Sequence, residues 1–338
     1  PPASPGGGSR GSLRSHLDQR GARCPRQWWD GGVASLRHDL IAVGIPKMRG
    51  SLEIDSEEKE RARIERWHRS LDRALPTNAV VRFDKRFAVE TRTIGEDTAG
   101  GTGFPVHTIT KRGSTPRRTV LYLHGGGYTA PLDPFHVRYA ARLADQLQAR
   151  VLLPDYPLAP EHTWADSHEA LVDLAAALTS QGPTVVAGDS AGGGLALAVA
   201  QSLRDRGGAQ PTHLLLHSPW VDLTTSTPAT AWFARRDPWL RITKLHAYAT
   251  WWAGSADDLG RPEVSPGLAD LSGLPQALMF CGTRDLLVPG CRLLARRAGE
   301  AGWDLTYVEE PGLIHVYPLV SFIPEARRAW RATREFLG

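Results

Sequence analysis

A chain of 338 residues, 41% hydrophobic and 22% charged, carries enough apolar material for a large core, which excludes a mainly disordered chain, a collagen and a coiled coil. The longest apolar-rich run, 191–203, is interrupted by Gly and Ala and falls short of the roughly 18 uncharged apolar residues of a bilayer span. The net charge is +4, but the cations are dispersed and often beside acids, as in Glu57-Glu58-Lys59-Glu60-Arg61, without a basic stripe interleaved with aromatics, so nucleic acid is not an expected partner.

Residues 1–30, rich in Gly, Pro, Ser and Arg, are expected to form a mobile arm that Trp28 and Trp29 could anchor. Residues 31–78 read as an N-terminal helical cap segment. Its clearest helix is 55–74, where Asp55 or Ser56 can cap, acids crowd the first turn, and Ile64, Trp67, Leu71 and Leu75 recur at helical spacing. Residues 79–338 read as a catalytic α/β domain. β-prone runs at 79–83, 86–94 and 104–110 come first. Strand-like runs at 119–123, 150–153, 184–187, 213–217, 276–281 and 304–308 then alternate with helix-like runs at 134–148, 165–179, 191–205, 290–301 and 324–337. Apolar strands separated by helices predict a mostly parallel sheet covered on both faces, with the early strands at one edge.

Nearly 60 residues separate the strands at 213–217 and 276–281, and a gap of that length holds a functional insertion more often than a plain connection. A cap insertion is expected at about 224–260. Its aromatics serve as a lid over the strand ends, as a small core of their own, or as both. Tyr128, Trp232, Trp239 and Trp252 are the expected aromatic wall of a substrate pocket.

Gly188-Asp189-Ser190-Ala191-Gly192 follows one strand run and opens the helix-like run after it. A serine on such a turn projects its hydroxyl at a helix N-terminus, and small residues two before and two after let neighbouring chain pass close. His124-Gly125-Gly126-Gly127-Tyr128 follows the run at 119–123. Glycines leave its amides unobstructed for a developing oxyanion, and neither spacing of a phosphate-binding loop is present. A serine nucleophile requires a base and an orienting acid. Of the histidines after Ser190, His213 and His217 bracket a strand and His246 lies in the insertion. His315, in the turn after the last strand, is placed as a base, and Asp285, just after the strand 276–281, as its acid.

These motifs, with D-Y-P-L-A-P-E-H at 155–162, S-P-W-V-D-L at 218–223 and D-L-L at 285–287, resemble those of the hormone-sensitive-lipase-like family (bacterial family IV) of α/β-hydrolase carboxylesterases, over roughly 119–320. The resemblance implies an α/β-hydrolase fold with a helical cap and a serine carboxylesterase acting on short- to medium-chain acyl esters. It makes Ser190 the nucleophile, His315 the base, Asp285 the acid, and the amides of Gly125, Gly126 and Ala191 the oxyanion hole. Pro157 stands where the family usually has Arg, and Leu286 where Pro often follows the acid.

No H-E-x-x-H or other metal spacing occurs, and neither a metal nor an organic cofactor is expected. Cys24, Cys281 and Cys291 form no C-x-x-C pair, and 1–23 lacks the apolar core of a signal peptide, which together point to a cytoplasmic setting. The expected partner is a small-molecule ester, and a homodimer is allowed. A lactone or aryl-amide substrate would use the same machinery. A non-catalytic receptor on this fold would have lost a member of the triad, and all three residue types are present.

Overall fold

The computed structural model describes residues 27–28, 34–96 and 103–338. Most of the arm expected at 1–30, including Trp29 and Cys24, lies outside the described residues. Its one described piece is the two-residue strand β1 (Gln27–Trp28).

The helices α1 (Leu36–Arg49) and α2 (Glu57–Arg69) precede the main sheet. α2 starts where the sequence indicates, with Ser56 Oγ accepting from the Lys59 amide, but ends at Ser70 rather than at 74. α1 is apolar on its exposed side as well as its buried one, so no polar face marks it out. His38, Ala42 and Ile45 are buried, while Leu36, Leu40, Val43 and Met48 face outward, and Pro46 lies inside the helix. The strand expected at 79–83 is not formed. That stretch holds a 3-10 turn, Thr77–Ala79, and enters the short helix α3 (Phe83–Arg86). Val81 is exposed, and pairing on this edge begins only at Phe87.

The sheet is built from β2 (Phe87–Ile94), β3 (Phe104–Lys111), β4 (Arg118–Leu123), β5 (Ala149–Pro154), β6 (Thr184–Asp189), β7 (His213–His217), β8 (Ala277–Gly282) and β9 (Leu305–Glu310). Its order is β1-β9-β8-β7-β6-β4-β5-β3-β2. β3 is antiparallel to both β2 and β5, and every other pairing is parallel.

Successive strand residues point to opposite faces, and both faces are buried. Leu121, Val186, Leu214 and Met279 pack with α5 (His168–Gln181), α6 (Ser190–Arg206) and α9 (Val288–Glu300). Val120, Tyr122, Ala187, Leu215 and Phe280 pack with α4 (Pro134–Gln146) and α10 (Pro324–Leu337).

The insertion between β7 and β8 folds into α7 (Thr230–Ala234), α8 (Ile242–Ala253) and 3-10 turns. α8 is tied to the N-terminal helices. Tyr248 Oη donates to Glu60 (2.5 Å), Trp251 Nε1 donates to Glu57 (2.7 Å), and Thr243 Oγ1 accepts from the Ile54 amide (3.1 Å). Among the described residues, no helix is long and apolar enough to cross a membrane.

Candidate active site

The parallel register sets the site. Leu123 of β4 lies beside Gly188 of β6, so the glycine loop and the Ser190 turn leave adjacent strands at their carboxyl ends. β8 and β9 end together, Gly282 opposite Glu310, and release the turns bearing Asp285 and His315 at that same edge. Ligands of open α/β sheets gather at the carboxyl ends of the strands.

Ser190 has φ of 52°, a left-handed conformation that non-glycine residues seldom adopt. The turn closes so tightly that a Cβ at Gly192 would lie 2.1 Å from the Leu123 carbonyl oxygen and 2.3 Å from that of His124, and one at Gly188 would lie 2.2 Å from Gly192 O. Because those neighbours are backbone, Gly192→Ala is expected to cost about 2–4 kcal/mol of stability. Urea denaturation followed by circular dichroism checks this, and an unshifted midpoint would contradict the close packing.

His315 Nε2 lies 2.9 Å from Ser190 Oγ, and its Nδ1 lies 2.8 Å from Asp285 Oδ2. The other carboxylate oxygen of Asp285 accepts from the Leu287 amide at 2.8 Å. The amides on either side of His315 are held too. Ile314 N donates to His38 Nε2 of α1 (3.0 Å), and Val316 N donates to Ser218 Oγ (3.1 Å). Burial alone would lower the His315 pKa. The charge and hydrogen bond of Asp285, then the charge of Asp237, hold it above the ordinary value.

Sequence reasoning did not single out Asp237. It is buried in the insertion, and its carboxylate accepts from the amides of Trp239 (2.7 Å), Leu240 (2.9 Å) and Leu286 (2.6 Å). It therefore ties the insertion to the residue after Asp285. Burial and the charge of Asp285 push its pKa up to about 6.

The other histidines after Ser190 sit elsewhere. His213 is beside Thr212 and Gln276, His217 beside the Tyr139 hydroxyl, and His246 beside Thr225. A second serine–histidine contact, Ser202 Oγ to His168 Nε2 (2.8 Å), joins α6 to α5, and among the described residues Nδ1 of that histidine has no partner to orient it.

The glycine loop departs from expectation at one residue. The Gly125 amide donates to Asp189 Oδ1 (3.1 Å), which also accepts from the Tyr122 hydroxyl (2.7 Å) and lies 3.4 Å from His136 Nε2. Gly125 is thus an anchor of the loop and its amide is not available to an oxyanion. Burial would raise the Asp189 pKa, but His136 and the Tyr122 hydroxyl hold it down at about 2, so Asp189 braces the turn as an anion.

Among the described residues, no protein acceptor takes the amides of Gly126, Gly127 or Ala191. Gly126 and Gly127 line the same cavity as Ser190 and His315. The neighbouring His124 is neutral, its pKa lowered to about 4 by burial first. Its Nδ1 lies 2.8 Å from the Gly125 carbonyl oxygen, and its ring stacks on Tyr156. In the 155–162 motif, Glu161 braces His68 of α2 (2.7 Å), whose Nε2 reaches Thr129 O just past the glycines (2.7 Å). Arg73 approaches Asp155 at 3.3 Å.

The cavity over Ser190 has a volume of about 670 Å³. Its apolar wall includes Ile41 and Ile45 of α1, Ile64 and Trp67 of α2, Leu245 of α8 and Phe322. Of the four aromatics expected there, Trp239 lines it and meets the His315 ring edge-on, with centroids 5.4 Å apart. The other three do not line it. Tyr128 and Trp252 are fully buried and stacked on each other at 4.2 Å, as core beneath the insertion. Trp232 is half exposed under the guanidinium of Arg236. Apolar content marked them, but which side of the insertion each faces depends on tertiary packing. Among the described residues, no group of three or more His, Cys, Asp or Glu side chains is arranged to hold a metal ion.

Comparison with known proteins gives the same fold class. The model of the alpha/beta hydrolase fold family Abhydrolase_3 matches residues 120–319. An acetyl-hydrolase of Streptomyces hygroscopicus is 34% identical over 225 residues, 65% of this chain and 75% of that protein. Carboxylesterase NlhH of Mycobacterium tuberculosis is 34% identical over 244 residues, 68% of this chain and 75% of that one. A solved esterase of the bacterial hormone-sensitive lipase family superposes with a TM-score of 0.72 at 27% identity, covering 90% of this chain and 98% of that one.

Proposed function

The chain belongs to the α/β-hydrolase fold family, in its hormone-sensitive-lipase-like branch, and is a carboxylic ester hydrolase; from that premise we propose that it cleaves short- to medium-chain acyl esters through an acyl-enzyme on Ser190. The observation that carries this reading is the hydrogen-bonded line Ser190–His315–Asp285 opening onto a cavity beside unused amides.

Ser190 Oγ attacks the acyl carbonyl as its proton passes to His315 Nε2. Asp285 fixes the Nδ1–H tautomer and stabilises the imidazolium. The amides of Gly126, Gly127 and Ala191 receive the oxyanion, in a hole where loss of one donor typically costs about 3–4 kcal/mol of barrier. His315 then returns its proton to the leaving alcohol, and a water activated by the same imidazole releases the acid. α1, α2 and α8 act as a cap, and the aliphatic wall takes the acyl or alcohol chain. A series of 4-nitrophenyl esters tests the substrate range. The kcat/KM is expected to peak between acetyl and hexanoyl and to fall beyond; a maximum at palmitoyl would contradict it.

The imidazole must be neutral to accept the proton. Since its pKa is raised above 6.5, kcat/KM is expected to fall as pH drops through a limb centred above that value. Asp237→Asn removes a nearby negative charge, so the limb moves to lower pH. A profile that stays in place in a folded variant would mean that the Asp237 charge does not act on His315.

A further inference from the structure

One face of the cavity carries charge that ester hydrolysis does not use. Arg63 of α2, Arg241 at the start of α8 and Lys244 of α8 all line the space that holds Ser190 and His315. The three cations converge on one region. Arg63 donates Nε and Nη2 to Glu60 at 2.7 Å each. Lys244 Nζ lies 3.9 Å from the same carboxylate and donates to Gly50 O at 3.0 Å. Glu60 thus serves Arg63, Lys244 and the Tyr248 hydroxyl at once. Arg241 meets only carbonyls, those of Ser51, Asp237, Leu240 and Pro238, and pairs with no described carboxylate.

The remaining acids nearby are committed. Glu53 accepts from Thr243, and Asp237 accepts from three amides. The two carboxylates that do line the cavity, Asp133 and Asp189, belong to the α4 and β6 side. Asp133 caps α4 and Asp189 holds the glycine loop. Bracing the cap would require hydrogen-bond donors, but not three cations at the wall of a mainly aliphatic cavity. Burial lowers the Lys244 pKa, so an anion beside that ammonium would restore what its partial desolvation costs.

Resting on the esterase reading above, we propose that Arg63, Arg241 and Lys244 form a subsite for an anionic group, a carboxylate or phosphate, borne by the ester substrate away from the scissile bond. The substrate class is then an acidic ester, with an aliphatic portion against α1 and the anion against α2 and α8. The anion is carried on the acyl chain or on the alcohol, and two matched pairs distinguish these. The first is the 4-nitrophenyl half-ester of glutarate against its methyl ester. The second is 4-acetoxybenzoate against its methyl ester. Each rate is normalised to the compound's own hydroxide-catalysed hydrolysis.

In at least one pair, the anionic member is expected to have about tenfold the normalised kcat/KM of the neutral one. Arg63→Gln and Lys244→Gln should each reduce that ratio by at least about threefold, and 0.5 M NaCl should compress it in the unaltered protein. The salt comparison decides the matter if a variant fails to fold. A preference for the neutral member in both pairs, or a ratio indifferent to salt and to both substitutions, overturns the subsite while turnover of the neutral esters leaves the proposed function standing. Absence of turnover for all four compounds, with Ser190 unreactive toward a phosphonate ester, overturns both.

Discussion

Ser190→Ala is expected to lower kcat for 4-nitrophenyl butyrate by about 10⁶-fold without unfolding the protein. The hydroxyl is the group that His315 Nε2 faces at 2.9 Å, and its removal leaves no atom there to form the acyl bond. The unusual backbone at this position imposes little on the variant, because alanine tolerates φ of 52° about as well as serine does. What remains is the contribution of the amides and of binding, roughly 10³–10⁴ over water. Steady-state kinetics alongside a melting curve make the check. A variant retaining a tenth of the activity would remove Ser190 from the chemistry.

Asp285→Asn is expected to reduce kcat by about 10⁴-fold with little change in KM. The carboxylate is fully buried and accepts both from His315 Nδ1 and from the Leu287 amide. An asparagine that keeps an oxygen toward the Leu287 amide turns its NH₂ toward Nδ1. Nδ1 must then act as acceptor, so the proton moves to Nε2, where it opposes transfer from Ser190. The neighbouring Asp237 lies close enough to influence the pair electrostatically, but it is held by three amides and accepts no hydrogen bond from the imidazole. A fully active Asp285→Asn variant would hand the orienting role to another group.

The positions of Ser190, Asp285 and His315 were legible from sequence because they depend on short, local patterns at strand ends. Ser190 lies between small residues whose spacing reflects the approach of Leu123 O and His124 O, and His315 and Asp285 follow the last two strands of the sheet. The alternation of Val120, Leu121 and Tyr122 between two buried faces likewise reads directly as a covered strand.

What depended on long-range packing was not legible. Gly125 and Gly127 look equivalent in a run of three glycines, and only the position of Asp189 shows that the first amide is occupied. Tyr128 and Trp252 look like pocket residues until their mutual stacking makes them core. The segment 31–78 reads as helical, but the bounds of α1 within it escaped because its outward face is apolar too and it contains Pro46. Its buried His38 is recognisable only once it meets the amide of Ile314, 276 residues away in the chain. The 79–83 stretch has β-prone residues but no neighbouring strand to pair with, and propensity yields to partnership in sheets.

In the proposed mechanism Ser190 is a nucleophile activated by His315. Treating the protein with diethyl 4-nitrophenyl phosphate and locating the adduct by mass spectrometry puts that role to the test. One diethylphosphoryl group per chain is expected, on the peptide bearing Ser190, at a rate that collapses in His315→Ala. Labelling at Ser202 beside His168, or an unlabelled Ser190 in protein that still hydrolyses esters, would contradict it.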